Sequence, residues 1–394
     1  ALIKDGEPMV TTDGKVNRYA LALPMMEINT IGAGGGSVAW IDEGGLLKMG
    51  PKSAGARPGP VCYTLGGAEP TCSDANLVLG YLSEDYFAGG KMRLDRAAAE
   101  RAILDQVARP LGLDLLEAAH GMYHIMNVNM ASAIREISVQ RGYDPRDFLL
   151  VCAGGAGPIH AALIAGELEI PEILVPKESS IFCAAGMLLS DLKHDFVRSY
   201  HTVFSPESTD RDRFLGMIRD LDQEGRAVLS NEGIPPQRMQ FRFSLDLRYV
   251  GQYHEVNVEV DAEDVRSLHY EDIHGAFHRE HNRLYGYDLE QEGTAVELVN
   301  LRMSAVGLTE KPGFRKEPFQ GEDPSSCLKG ERPVFLPDEN GYRNVPVYDG
   351  NRMGHGHRVT GPAIIEQVNT TILVPPGWDM ACDPFGSYVL NVRS

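Results

Sequence analysis

Apolar residues recur along this chain with two periods, and the period changes part-way. Over residues 115–141, Ala118, Met122, Ile125, Met126, Asn129, Met130, Ala133, Ile134 and Ile137 fall three and four apart. That spacing predicts one long helix. Its methionines read as core filler rather than as ligands. Residues 75–82 and 96–111 predict two earlier helices, with N-cap candidates at Thr71, Ser73, Asp74 and Asp95. Residues 214–232 predict one amphipathic helix and 270–285 another, rich in histidine. Between 241 and 260 the period drops to two: Leu245, Leu247, Tyr249, then Val256, Val258, Val260. This predicts a strand pair turning near Gly251.

Two glycine-rich turns interrupt the pattern. The apolar run 148–152 leads into Gly154-Gly155-Ala156-Gly157, a helix-compatible stretch 159–168 and a short apolar strand 173–176. Strand, glycine turn, helix, strand is βαβ spacing, and a turn without Cβ atoms lets a nucleotide approach the backbone. The same pattern also fits a tight connection that binds nothing. The second turn, Gly34-Gly35-Gly36-Ser37, opens into an alternating strand through Ile41, and Asp42-Glu43-Gly44-Gly45 makes the next turn. Residues 50–70 are dense in Gly, Pro and Ser and predict little regular structure. Residues 179–189 predict a small-residue helix. The start, residues 1–8, reads as a hairpin and 1–23 as β structure, without an initiator methionine. We expect a partner sheet before that hairpin, and hence a longer polypeptide.

A chain of 394 residues is too long for one ordinary core. The character changes near Asp195. The first part, 1–195, reads as α/β, and the second, 196–394, as α+β and largely β toward its end. A formal charge of −18 argues against nucleic acid or an anionic membrane as partner. It leaves room for one nucleotide at a helix N-terminus. No apolar run is long enough to span a bilayer. The six cysteines form no C-x-x-C pair. Their apolar surroundings suit reduced thiols in a cytoplasmic protein, and zinc is not expected.

Several longer motifs stand in order along almost the whole chain. They include TIGAGGGSVA at 30–39, GPKSAGARPGPVCY at 50–63, EPTCSDANLVL at 69–79, RGYDPRDF at 141–148 and AGGAGPIHA at 153–161. RYVGQ at 248–252, FHREHNRLYGY at 277–287 and ELVNLRMSAVG at 297–307 follow. The sequence resembles the A-subunit family of ATP-dependent hydantoinases. This family's relatives are 5-oxoprolinases and the nucleotide-using subunits of acetone and acetophenone carboxylases. The resemblance implies an actin/hexokinase/Hsp70-like ATPase core, present in part over 1–195, and a C-terminal α+β domain over 196–394. Both phosphate loops of such a core are absent from the sequence as it stands. This implies a missing N-terminal phosphate-binding lobe and a hydantoinase B-like partner subunit.

The resemblance further implies ATP, with Mg²⁺ held mainly by its phosphates. Phosphorylation of a carbonyl oxygen would activate a small amide or ketone for the partner. The substrate stays open between a cyclic amide to be hydrolysed and a ketone to be carboxylated, and a third reading is a non-catalytic part of an assembly. Gly154, Gly155, Ala156 and Gly157 match the adenosine-side loop, with His160 in the following helix. The helix dipole should keep that imidazole neutral. Gly34, Gly35, Gly36, Ser37 and Asn76 form a candidate phosphate or substrate loop. Asp74 is either a catalytic carboxylate or only an N-cap. Lys52 and Arg57 stand where the family pattern leads us to expect acidic residues. His274, His278 and His281 have metal-like spacing, but packing is the expected role.

Overall fold

The computed structural model describes residues 1–11, 14–16, 19–21 and 25–393. Two compact units result. The first comprises Ala1–Ala185 and Phe314–Ser394, and the second Gly186–Gly313. The division in space therefore differs from the sequence boundary at 195, because the last eighty or so residues fold with the first unit.

The reason lies in one mixed sheet of the first unit. Strands Leu150–Val151 and Glu172–Val175 pair in parallel, as βαβ spacing predicts, with Ile173 opposite Leu150. The helix Gly157–Glu167 forms the crossover. The sheet is then completed from the far end of the chain. Glu172–Val175 pairs antiparallel with Tyr388–Val392, which pairs with Trp378–Cys382, which pairs with Arg358–Thr360. Ala161, Ala162 and Ala165 bury one side of the crossover helix in a core shared with Ile365, Ile372, Trp378 and Leu390. Alanines let that helix lie close to its neighbours, and apolar burial of this kind is the main driving force.

The long helix Leu115–Ile137 begins at Asp114, whose side chain caps Glu117 N–H while the Glu117 carboxylate returns to Asp114 N–H. It ends earlier than the periodicity predicts, and Val139–Arg141 continues as a 3₁₀ turn before Gly142. Thr71 and Asp74 make a second capping box, at the start of Cys72–Val78. Residues 50–70 contain more structure than expected: the hairpin partner of Ser37–Ile41 runs over Leu47–Ser53, and Val61–Tyr63 is a 3₁₀ turn. At the start, Ile3–Lys4 pairs with Glu7–Pro8 as the sequence predicts. Residues 12, 13, 17, 18 and 22–24 of the expected β region lie outside the described residues.

The second unit is a four-stranded antiparallel sheet with helices. Val296–Gly307 pairs with both Leu192–Val203 and Met239–Tyr249, and Val256–Val260 extends the edge. The predicted strand pair is present, with Leu247 opposite Val256 and Leu245 opposite Val258. Arg211–Asn231 buries Phe214, Ile218, Leu221 and Leu229. A Cβ on Gly225 would lie 2.7 Å from Met303 Cε, so glycine sets how closely this helix approaches the sheet. The histidines of Tyr270–Tyr285 pack as expected. His274 bonds the Phe204 carbonyl (2.8 Å), His278 the Tyr249 hydroxyl (2.7 Å) and His281 the Tyr287 carbonyl (2.9 Å). Three different partners hold the three rings, and among the described residues the three do not form a group that could hold one metal ion.

Candidate functional site

The two glycine turns, distant in sequence, share one cavity of about 560 Å³ in the first unit. Gly35 and Gly36 line one part of it, and Gly155 and Ala156 another. The volume falls within the range of small-molecule sites, about 300–1,000 Å³. Tyr63 and Phe87, in ring contact at 5.3 Å, supply an aromatic wall. A further part of the wall comes from Ser180, Ile181 and residues 367–371. Among the described residues, no Asp, Glu, Lys or Arg lines the cavity.

Each turn is held by hydrogen bonds to its backbone groups. Ser37, 2% exposed, accepts from Gly34 N–H (3.0 Å) and donates to the Gly32 carbonyl (3.3 Å). It closes its turn, and neither Ser37 nor Gly34 lines the cavity. Gly154 adopts φ +99°, where a side chain would strain the backbone, and its N–H donates to the Ser179 carbonyl (2.7 Å). Thr370 Oγ1 donates to the Gly155 carbonyl (2.8 Å), which ties the turn to the C-terminal segment. Gly157 opens the crossover helix, and a Cβ there would lie 3.0 Å from Cys152 Sγ. Pro158 occupies the first turn and no side chain caps the helix.

Asp74 is fully buried and occupied by protein. Its Oδ1 accepts from Cys62 N–H (2.7 Å), and its Oδ2 accepts from Thr71 N–H (2.8 Å), Thr71 Oγ1 (2.8 Å) and Val61 N–H (3.2 Å). It caps a helix and anchors the 61–63 turn, and it does not line the cavity. Thr71 is the N-cap, and Asp74 is its capping-box partner at the third helical position. Asn76 does line the cavity, although its side chain is almost wholly enclosed.

His160 does not reach the cavity. It is 1% exposed and sits between Asn127 Oδ1 (2.9 Å from Nδ1) and Asn76 Nδ2 (3.2 Å from Nε2). The Tyr123 ring lies against it at 4.9 Å, and the Tyr123 hydroxyl bonds the Ile159 carbonyl. Burial lowers the imidazole pKa to about 4, so the ring is neutral. The cause is desolvation rather than the helix dipole invoked from sequence. Burial raises the Cys72 and Cys152 thiols to about 12 and pushes Cys62 higher still, which makes them poor nucleophiles. Cys183 alone among the six is exposed.

Sequence reasoning missed the 367–371 wall and Ser180, whose polar groups carry no local motif. A neighbouring cavity, also of about 560 Å³, shares Ser180, Ile181 and residues 367–369 and contains Lys177, Glu317 and Arg352. Lys177 is paired with Glu317 at 2.7 Å. Lys52, exposed near the end of strand Leu47–Ser53, is paired with both Glu69 oxygens at 2.7 Å, and neither it nor Arg57 lines either cavity.

Residues 1–196 match the hydantoinase/oxoprolinase family model, and residues 211–391 match the model of the hydantoinase/oxoprolinase C-terminal domain. The chain belongs to this family. It is 38% identical to caprolactamase subunit alpha of Pseudomonas jessenii, over 99% of this chain and 56% of that protein. It is 35% identical to the acetophenone carboxylase gamma subunit of Aromatoleum aromaticum, over 95% of this chain and 52% of that protein. The nucleotide-free structure of acetone carboxylase superposes with a TM-score of 0.87 at 28% identity, over all of this chain and 56% of that one. The crystal structure of the ATP-dependent caprolactamase of Pseudomonas jessenii superposes with a TM-score of 0.74 at 37% identity, over 98% of this chain and 56% of that one. The family member thus spans about half the length of the curated relatives it matches. Among its described residues, no helix is long and apolar enough to cross a membrane.

Proposed function

We propose that this chain supplies the nucleoside-binding part of an ATP-dependent enzyme that activates the carbonyl oxygen of a cyclic amide by phosphorylation, for hydrolysis with a partner subunit. One observation carries the placement: among the described residues, the cavity between the two glycine turns has bare backbone and aromatic walls but no charged side chain. Such a lining suits a neutral base and ribose and offers a polyphosphate no countercharge. The relatives described as ATP-dependent support the use of ATP. The partial actin/hexokinase/Hsp70-like lobe inferred from the sequence belongs to the same reading.

In such a reaction the γ-phosphoryl group leaves ADP and bonds the carbonyl oxygen, which makes the carbonyl carbon more electrophilic. Catalysis of that step is mostly positioning and charge stabilisation. Within this chain, the Gly35–Gly36 and Gly155–Ala156 turns would bind the nucleoside and exclude water. Mg²⁺, when present, would neutralise phosphate charge. Among the described residues no carboxylate lines the cavity to hold it, so phosphates and groups outside this cavity would do so. Turnover is therefore expected of the assembled enzyme and not of this cavity alone.

The second reading, a ketone carboxylase subunit using the same activation, is favoured by the 0.87 superposition on acetone carboxylase. Assaying the assembled enzyme for ATP use with lactams and hydantoins, against ketone plus bicarbonate, separates the two. Photolabelling with 8-azido-ATP and peptide mapping tests the placement. Labelled peptides should contain residues 153–160 or 367–371, and labels confined to other peptides would overturn it.

A further inference from the structure

The orientation of the Asn76 side chain is set by a chain of hydrogen bonds that starts at a backbone carbonyl. Asn127 Nδ2 donates to the Tyr123 carbonyl (2.8 Å), a group that can only accept. This leaves Asn127 Oδ1 facing His160 Nδ1 at 2.9 Å, so Nδ1 must carry the proton. In a neutral imidazole the other nitrogen is then an acceptor. His160 Nε2 therefore accepts: Asn76 Nδ2 faces it at 3.2 Å and the Cys72 thiol at 3.5 Å, so the Asn76 amide turns its N–H group, which also contacts Cys72 Sγ at 3.8 Å, toward the ring. With its donors turned inward, Asn76 has only Oδ1 left, and Oδ1 is buried without a protein partner. Buried polar atoms without partners are uncommon, and Asn76 is one of the residues that line the cavity, so its unpartnered oxygen points to a ligand.

We propose that Asn76 Oδ1 is a fixed hydrogen-bond acceptor of the cavity, held in that orientation through His160 and Asn127, and that it selects ligands presenting an N–H or O–H group to it. His160 and Asn127 are positioning residues that act through Asn76. Neutrality of His160 is essential to the arrangement, since an imidazolium would offer a proton at Nε2 and turn the Asn76 amide over. The complete enclosure of the ring provides that neutrality. This inference rests on the cavity being a ligand site and refines which face of the ligand is read. Two sources share the required chemistry: the amino and hydroxyl groups of adenosine, and the N–H of a cyclic amide.

The test measures Kd values for the assembled enzyme in matched pairs. One arm compares ATP with purine riboside triphosphate and with 2′- and 3′-deoxy-ATP. The other compares a lactam with its N-methyl derivative. Wild type should prefer the donor-bearing member of at least one pair by about 10- to 100-fold, the effect of stranding a buried acceptor. Asn76→Leu should bring that ratio close to one. Absence of discrimination in wild type, or discrimination unchanged in Asn76→Leu, overturns the proposal. A response confined to the lactam pair keeps the fixed acceptor but removes adenosine from this cavity, so the two readings fail separately. Because Asn76 is enclosed, a second measurement needs no variant: neutron diffraction of the wild-type enzyme should find deuterium on His160 Nδ1. Deuterium on Nε2 would refute the proposed orientation.

Discussion

Gly35 and Ala156 meet at the cavity wall: a Cβ on Gly35 would stand 3.7 Å from the Ala156 Cβ. It would also stand 2.7 Å from Ser73 Oγ, while Ser73 N–H holds the Gly35 carbonyl at 2.8 Å. A Cβ on Gly35 would thus collide with Ser73, while it would only touch Ala156. Gly35→Val should fill the space between them and weaken ATP binding by the assembled enzyme at least about tenfold, as when a snug pocket is obstructed. Calorimetric titration of both proteins checks this, and equal affinities would count against the shared cavity.

Gly155→Val attacks the site from the opposite turn. Its Cβ would lie 3.1 Å from the Asn369 carbonyl oxygen, and the larger branches must find room beside the cavity. ATP binding should fall below detection, while the melting temperature drops by only a few degrees. Unchanged ATP affinity would move the nucleoside elsewhere.

His160 makes stability depend on pH. Its pKa lies near 4 in the folded chain against an ordinary value of 6.5. Between those values the unfolded state binds the proton and the folded state does not, so folding weakens as pH falls from 6.5 toward 4. The contribution is of order 3 kcal/mol, present in full above about pH 6.5. Burial shifts His120 and His274 in the same direction. Urea unfolding at a series of pH values should show this decline, and His160→Gln should flatten part of it.

Asp74 separates a capping role from a catalytic one. Removing a buried carboxylate that satisfies three backbone N–H groups and a hydroxyl strands those donors. Asp74→Ala should cost about 3 kcal/mol or more in chemical denaturation. Should Asp74→Asn keep full stability and lose turnover entirely, the carboxylate is chemical after all.

Much of the local architecture was legible in the residues. Asp114 and Glu117 announce the long helix, and Thr71 and Asp74 the short one, because caps act within a few residues of themselves. Alternation over 241–260 located a strand pair to within a few residues, since side chains on a pleated strand change face at every step. The glycine turns were visible as turns because few other residues allow their backbone. Asp74 was legible as a polar residue in a motif, but not as one already saturated by Val61, Cys62 and Thr71. His160 was correctly expected to be neutral for an incomplete reason, because burial is a property of what surrounds a residue.

By itself, the sequence determined the family through its ordered motifs, and most of the helices, the βαβ unit and the two turns through short-range periodicity and backbone chemistry. Only the tertiary structure decided that strand Tyr388–Val392 joins Glu172–Val175, that Thr370 reaches Gly155, and that the two turns line one cavity. Strand pairing and side-chain enclosure link residues hundreds of positions apart through shared burial and hydrogen bonding. No local pattern records such a link, so the cavity wall from 367–371 and the fixed acceptor at Asn76 emerge only when the chain is folded.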